Sequence, residues 1–250
     1  LIIARDSQRQ LLEDAVAIGE AIRGALNQYL NINICITVGV TVHTPTQWKT
    51  SYENARYTEE FRYLFESGGI LFGKDFINGQ SADIQTDGWS ERLVSQIKTG
   101  QTEAICQTVT QLFAMLHHAR CEKKELQLHI QNCVLSIQIT LNKWKTVTAI
   151  DLEQATAFIK DLDHYRHLSE IEAEFTTFCL TAADMIARQR DSSNHSIAIQ
   201  AEAYLNEHYM DPDLSLNMLC DYLNLSVSYF CMVFKNNTGE TFVEALTRIR

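Results

Sequence analysis

Asp213-Leu-Ser-Leu-Asn-Met-Leu-Cys-Asp-Tyr-Leu-Asn-Leu-Ser-Val-Ser-Tyr-Phe-Cys-Met-Val-Phe-Lys-Asn-Asn-Thr-Gly239 carries the punctuation of two short helices joined by a tight turn. Ser215 stands where an N-cap is needed, and Leu216, Leu219, Cys220 and Leu223 follow on one helical face. Asn224 falls where the turn calls for a left-handed residue, a conformation Asn tolerates better than most side chains. Ser226 then caps a second helix whose inward face reads Tyr229, Phe230, Val233 and Phe234. Val227, Ser228, Cys231, Met232, Lys235 and Asn236 remain on the outward side. A helix-turn-helix lays such an outward face in the major groove of duplex DNA.

These residues resemble the first helix-turn-helix of the AraC family of transcription regulators. The resemblance is carried by Leu225-Ser226 into Tyr229-Phe230, the Phe234-Lys235 pair, and Thr238-Gly239 leading into Thr241-Phe242. It reaches back through Ala203-Tyr204-Leu205 and the Tyr209 to Asp211 stretch. Family members carry two such units joined by a long helix. Thr241 and Glu244 stand in capping-box spacing where that linking helix begins, so the chain is expected to be a piece of a longer protein. The resemblance implies DNA contacts from Ser226, Ser228, Cys231, Met232, Lys235 and Asn236. Ser228, Cys231 and Met232 occupy base-reading positions. Many members have Arg at the last of these, which pairs with guanine in a bidentate way. Met232 offers only apolar contact, while Lys235 and the amides at the Ser226 end are suited to phosphates.

A chain of 250 residues, 46% hydrophobic and 21% charged, has the composition of a soluble globular protein of one or two domains. It contains no apolar run long enough to read as a membrane span. The seven cysteines are odd in number and widely scattered, which argues against a disulfide framework and for a reducing, cytoplasmic setting. Net charge is −10. From Asn194 to Arg250, three bases (Lys235, Arg248, Arg250) against seven acids (Glu202, Glu207, Asp211, Asp213, Asp221, Glu240, Glu244) give −4. Phosphate attraction supplies much of protein–DNA affinity, so this region is expected to bind weakly alone.

Upstream, the periodicity defines two further regions. Residues 1–77 read as α/β: a strand at 1–4, a helix at 7–29, a strand at 34–40 buried on both faces, a helix at 48–65 and a strand at 69–72. The Thr37-Val-Gly-Val40 strand, followed by Ser51-Tyr-Glu-Asn-Ala55 leading the next helix, resembles the latter half of a GGDEF-type nucleotide-cyclase fold. The closer likeness is to the degenerate version found in YesN-like response regulators, which implies a receiver domain upstream. After a polar break at 78–87, residues 90–190 show helical spacing throughout, with helices expected at 90–99, 102–119, 123–144, 151–161 and 169–190. Ser90 is the expected cap of the first and Gly100 its end. Asp191-Ser-Ser-Asn194 reads as a hinge. The expected fold is thus α+β. A partial GGDEF-like α/β piece (1–77) precedes a helical coupling region (78–193) and a helix-turn-helix unit (194–250).

Other clusters are read plainly. His117 and Cys121 have the i, i+4 spacing of a metal pair on a helix, with His118 beside them, but no second ligand pair lies near. A helix surface with a partly buried cysteine accounts for them, and His164 and His167 are treated alike. Glu59-Glu60, Asp161/Asp163 and Glu170/Glu172/Glu174 read as solvated helix faces. Tyr52, Tyr57, Phe61, Tyr63 and Phe65 read as packing on one helix. Cys220 reads as core filling, and Cys231 as a small outward side chain. No metal and no cofactor are expected.

The reading these residues favour is a DNA-binding transcription regulator, the output part of a two-component response regulator acting on double-stranded DNA as a homodimer. The alternative is a nucleotide cyclase with a DNA-binding appendage; a third reading makes residues 1–190 a non-catalytic dimerisation or sensor module. A cyclase needs a metal-binding carboxylate pair and a glycine turn at the phosphates, and residues 1–77 do not supply both. Incubation with GTP or ATP and a divalent cation is therefore expected to release no pyrophosphate. Turnover that disappears on mutating an acid within 1–77 would overturn this.

Overall fold

The computed structural model describes residues 2–77, 88–143 and 165–250. These residues are mostly helical, with one small two-stranded parallel sheet, a loose α+β arrangement. They divide into two compact units, Leu1–Ala183 and Asp184–Arg250.

The first unit opens with α1 (Gln8–Leu30), closed by Asn31 in the left-handed conformation at φ 53°. β1 (Cys35–Val38) passes through α2 (Trp48–Glu59) to β2 (Gly69–Phe72), with Cys35 opposite Gly69 and Val38 opposite Phe72. A short α3 (Lys74–Ile77) follows. Two polar clasps hold this strand–helix–strand turn. Asn54 Oδ1 accepts from the Val40 amide at 2.9 Å, and Ser51 Oγ donates to the Val40 carbonyl at 2.8 Å. Gly68 sits at φ 67°, and a Cβ there would lie 2.3 Å from the Ile34 carbonyl oxygen, so both conformation and space call for glycine.

Three expectations fail here. Residues 2–4 form no strand, Leu1 lying outside the described residues. β1 is half-buried along its whole length rather than enclosed, because a two-stranded sheet gives it a neighbour on one edge only. The helix expected at 48–65 stops at Glu59. A separate 3-10 turn, Arg62–Leu64, then carries Tyr63 and Leu64 inward, so the five aromatics do not share one helix. Phe61 and Tyr63 are buried while Tyr52 is open.

The remainder of this unit is helical: α4 (Trp89–Thr99), α5 (Thr102–His118), α6 (Lys123–Lys143) and the start of α7 (Leu168–His208). Gly88 at φ 95°, not Ser90, stands at the N-cap of α4, while Gly100 ends it at φ 71°. The 151–161 helix expectation lies outside the described residues. Leu93, Ile97, Ile105, Leu112, Phe113, Ile130, Ile137 and Phe175 are essentially free of solvent and form the core of these helices. Phe113 and Phe175 meet at 6.0 Å between ring centroids. The turn after α5 receives the strand region. Tyr63 Oη donates to the Cys121 carbonyl, and the Arg120 guanidinium lies 4.9 Å from the Phe76 ring centroid. Burial pushes the Tyr63 hydroxyl well above its ordinary range, keeping it a neutral donor.

The expected hinge at 191–194 is absent: α7 is one helix of 41 residues. Ser, Asn and Asp weaken a helix but do not break it as Pro does. Three i,i+4 contacts support the polar stretch: Arg188 to Asp184 at 2.8 Å, Gln189 to Ser193 at 3.3 Å and Gln200 to Ser196 at 3.1 Å. Between buried Ile186 and buried Ala198 the helix has no buried residue. A helical span without a packed face is marginal. Amides 189–196 are therefore expected to exchange with deuterium at least about a hundredfold faster than amides 175–183. Equal protection along the whole helix would contradict this.

Candidate nucleic-acid interface

Residues 184–250 are built from the end of α7 and three short helices: α8 (Leu216–Leu223), α9 (Val227–Thr238) and α10 (Phe242–Ile249). Each start is capped by the side chain the sequence offered. Ser215 Oγ accepts from the Met218 amide and Ser226 Oγ from the Tyr229 amide, both at 3.4 Å. Thr241 and Glu244 form a reciprocal capping box. The amide hydrogen bond from Thr241 holds the Glu244 carboxyl below its ordinary range. Between α8 and α9, Asn224 adopts φ 55°, ψ 45°, and Gly239 closes α9 at φ 81°.

One side of α9 is core. Phe230, Val233 and Phe234 are buried; Phe230 and Phe234 join Ala201, Leu205, Leu219, Cys220 and Phe242 in one cluster, their rings stacked at 5.3 Å. The other side is open. Ser226, Ser228, Cys231, Met232, Lys235 and Asn236 are all exposed. Positions 228, 231, 232 and 235 recur at i, i+3, i+4 and i+7, so they form a single stripe, with Asn236 on its margin and Ser226 at its head. With Ser226 capping the Tyr229 amide, the Val227 and Ser228 amides have no intrahelical partner and point off the helix end.

Tyr229 departs from its expected place: it is 38% exposed, and its hydroxyl donates to Asn194 Oδ1 at 3.0 Å. Its neighbour Ser228 is outward, and an aromatic one step around the helix reaches the rim rather than the core. Two exposed side chains on α8, Met218 and Tyr222, escaped the sequence reading. Tyr222 packs one ring face on Tyr204 at 4.6 Å, a pairing that links residues far apart in sequence and leaves no local pattern.

The charges of this region are unequal in availability. Arg248 pairs with Glu240, and Arg250 donates to the Tyr209 and Asp211 carbonyls at 2.9 and 3.0 Å. Lys235, on the open stripe, makes no ion pair or hydrogen bond among the described residues.

The histidine–cysteine group does not share a helix. α5 ends at His118, and Cys121 lies beyond Arg120, whose φ is 47°. His117 Nε2 meets the Leu64 carbonyl at 3.2 Å, and Cys121 is buried with its thiol pushed up to about 12, chiefly by burial. Among the described residues no three His, Cys, Asp or Glu side chains gather closely enough to hold a metal ion, and no helix is long and apolar enough to cross a membrane. No family model matches the chain, and no curated protein or solved structure matches it either.

The caps and core of this region are testable in the whole chain by urea denaturation followed at amides 200–245. Phe230→Ala is expected to cost about 3–5 kcal/mol and Ser226→Ala about 1 kcal/mol. Asn224→Ala is expected to cost about 1–2 kcal/mol, while Asn224→Gly is close to neutral. Equal stability of the Ala and Gly variants would contradict the left-handed turn.

Proposed function

We propose that residues 194–250 are the first DNA-binding half of an AraC-type transcription regulator, within the output part of a cytoplasmic two-component response regulator. The observation that carries this reading is the division of α9 into two chemically opposite sides. Phe230, Val233 and Phe234 anchor one, and Ser228, Cys231, Met232 and Lys235 line the open one. The left-handed Asn224 turn and the Ser226 cap set that helix after α8 in the manner of a helix-turn-helix. In the major groove, the Val227 and Ser228 amides meet a phosphate, Lys235 meets another, and Ser228, Cys231 and Met232 face base edges. Residues 1–77 act as a non-catalytic, degenerate GGDEF-like piece and residues 78–193 as a coupling region below a receiver domain.

The chemistry of the stripe sets the strength of binding. A region of net charge −4 gains little from counterion release. Met232 brings apolar contact, for example to a thymine methyl, and no hydrogen bond. The chain is therefore expected to bind duplex DNA weakly, with small preference among sequences. In a titration against unrelated duplexes, Lys235→Ala should weaken all of them alike and lower the salt slope by about 1. Met232→Arg should strengthen binding and introduce a preference for guanine at one position. Binding that neither substitution alters would overturn the reading, as would tight, sequence-specific binding by the chain itself.

A further inference from the structure

We propose that the hydrogen bond from Tyr229 to Asn194 is a conformational relay, which makes the seating of the first turn of α9 depend on α7 staying helical just before Ile197. Both ends of the contact lie within residues 184–250. From Arg190 to Ser196 every residue of α7 is exposed except Asn194, which is half-covered. The helix meets the shared core from Ile197 onward, with Ala201 and Leu205 buried in it. Asn194 thus stands about one turn outside the packed part, in the stretch that opens most readily. That is where Tyr229 reaches. Its Oη donates to Asn194 Oδ1 at 3.0 Å, between residues 35 positions apart in sequence.

The place of Tyr229 in α9 gives the contact its consequence. Ser226 caps the Tyr229 amide, so this ring leaves from the first turn of the helix. Phe230 beside it is buried and fixes the helix to the core, whereas Val227, Ser228 and Tyr229 are all exposed. Among the described residues, the side chains of Val227, Ser228 and Tyr229 make one hydrogen bond that leaves α9, the one to Asn194. That tie leads to a helical stretch with no buried anchor. When the stretch unwinds, Asn194 moves away and the turn loses its tie; when the turn frays, the stretch loses the same contact. Linkage makes the two effects equal in free energy. A neutral hydrogen bond of this kind contributes a factor of about three to ten to an opening equilibrium. Such a factor biases the turn without locking it. Whatever bends or melts α7 before Ile197 is thereby felt beside Ser228, on the open stripe of α9. The relay concerns the chain's own motion and stands whether or not that stripe meets DNA.

Hydrogen exchange of the whole chain, read at single amides, tests the relay by altering one partner and reading the other. Tyr229→Phe removes only the donor and is expected to speed exchange of amides 189–196 about three- to tenfold. Asn194→Ala is expected to speed amides 230–232, which bond to the first-turn carbonyls, by the same factor. It should do so although Ala is the better helix former and steadies α7 itself. Ser196→Pro puts Pro at a tolerated helix start, keeps Ile197 and Ala198 helical, and unwinds the turn that holds Asn194. Amides 230–232 should again quicken by that factor. In a Tyr229→Phe background neither Ser196→Pro nor Asn194→Ala should add anything at these amides. Amides 216–222 of α8 are the internal reference and keep their wild-type rates; should Ser196→Pro disturb them, Asn194→Ala alone decides. Amides 230–232 unmoved by Asn194→Ala, or amides 189–196 unmoved by Tyr229→Phe, would overturn the proposal. So would an effect of Ser196→Pro on 230–232 that persists without the Tyr229 hydroxyl while α8 is undisturbed.

Discussion

Helices of 8 and 12 residues do not persist alone in water, and most of the chain beyond His208 is made of three such pieces. What holds them is one shared apolar cluster, with Phe230 and Phe234 at its centre and Leu205, Leu219 and Phe242 around them. The outward stripe of α9 exists as a surface only because this inward side is pinned. Caps, the left-handed turn and the capping box then fix where each helix begins and ends. None of them would fold the region without the buried rings. Cys220 belongs to the same cluster, where its small size lets α8 and α9 approach.

The last region was legible because its signals are local and chemically distinct. Ser215, Ser226 and Thr241 can each satisfy an orphan amide a few residues on, and Asn224 tolerates a positive φ. Such signals act within one turn of the chain, so sequence spacing reads them directly. The failures share the opposite cause. Polar Asp191-Ser-Ser-Asn194 looked like a hinge, but weak helix formers between two strongly apolar stretches stay helical when side-chain pairs bridge them. The helix expected at 48–65 breaks because Tyr63 is drawn to the Cys121 carbonyl, a partner 58 residues away that no local pattern announces. Likewise, β1 has a sequence fit for full burial, and only the small size of the sheet leaves it half-open.

Electrostatics and shape pull in different directions in residues 194–250. The shape offers an open helix side, an exposed helix start and a lysine at its far end. The charge offers little to a polyanion, since Arg248 is held by Glu240 and Arg250 by backbone carbonyls. Those two arginines contribute to internal order: Arg250 ties the end of α10 to the loop that follows α7.

The cysteine inventory has a practical side. Of the seven thiols, Cys231 alone is exposed, while Cys121, Cys133, Cys179 and Cys220 are buried and Cys35 and Cys106 are half-covered. Burial pushes the Cys133 thiol up to about 11 and that of Cys179 higher still, so few of their thiolates exist at neutral pH. An alkylating or maleimide reagent thus meets one accessible sulfur well ahead of the others. That sulfur stands in the middle of the open stripe of α9, so a fluorophore can be set there without engineering the sequence. The chain arrives with its own reporter for whatever approaches that surface.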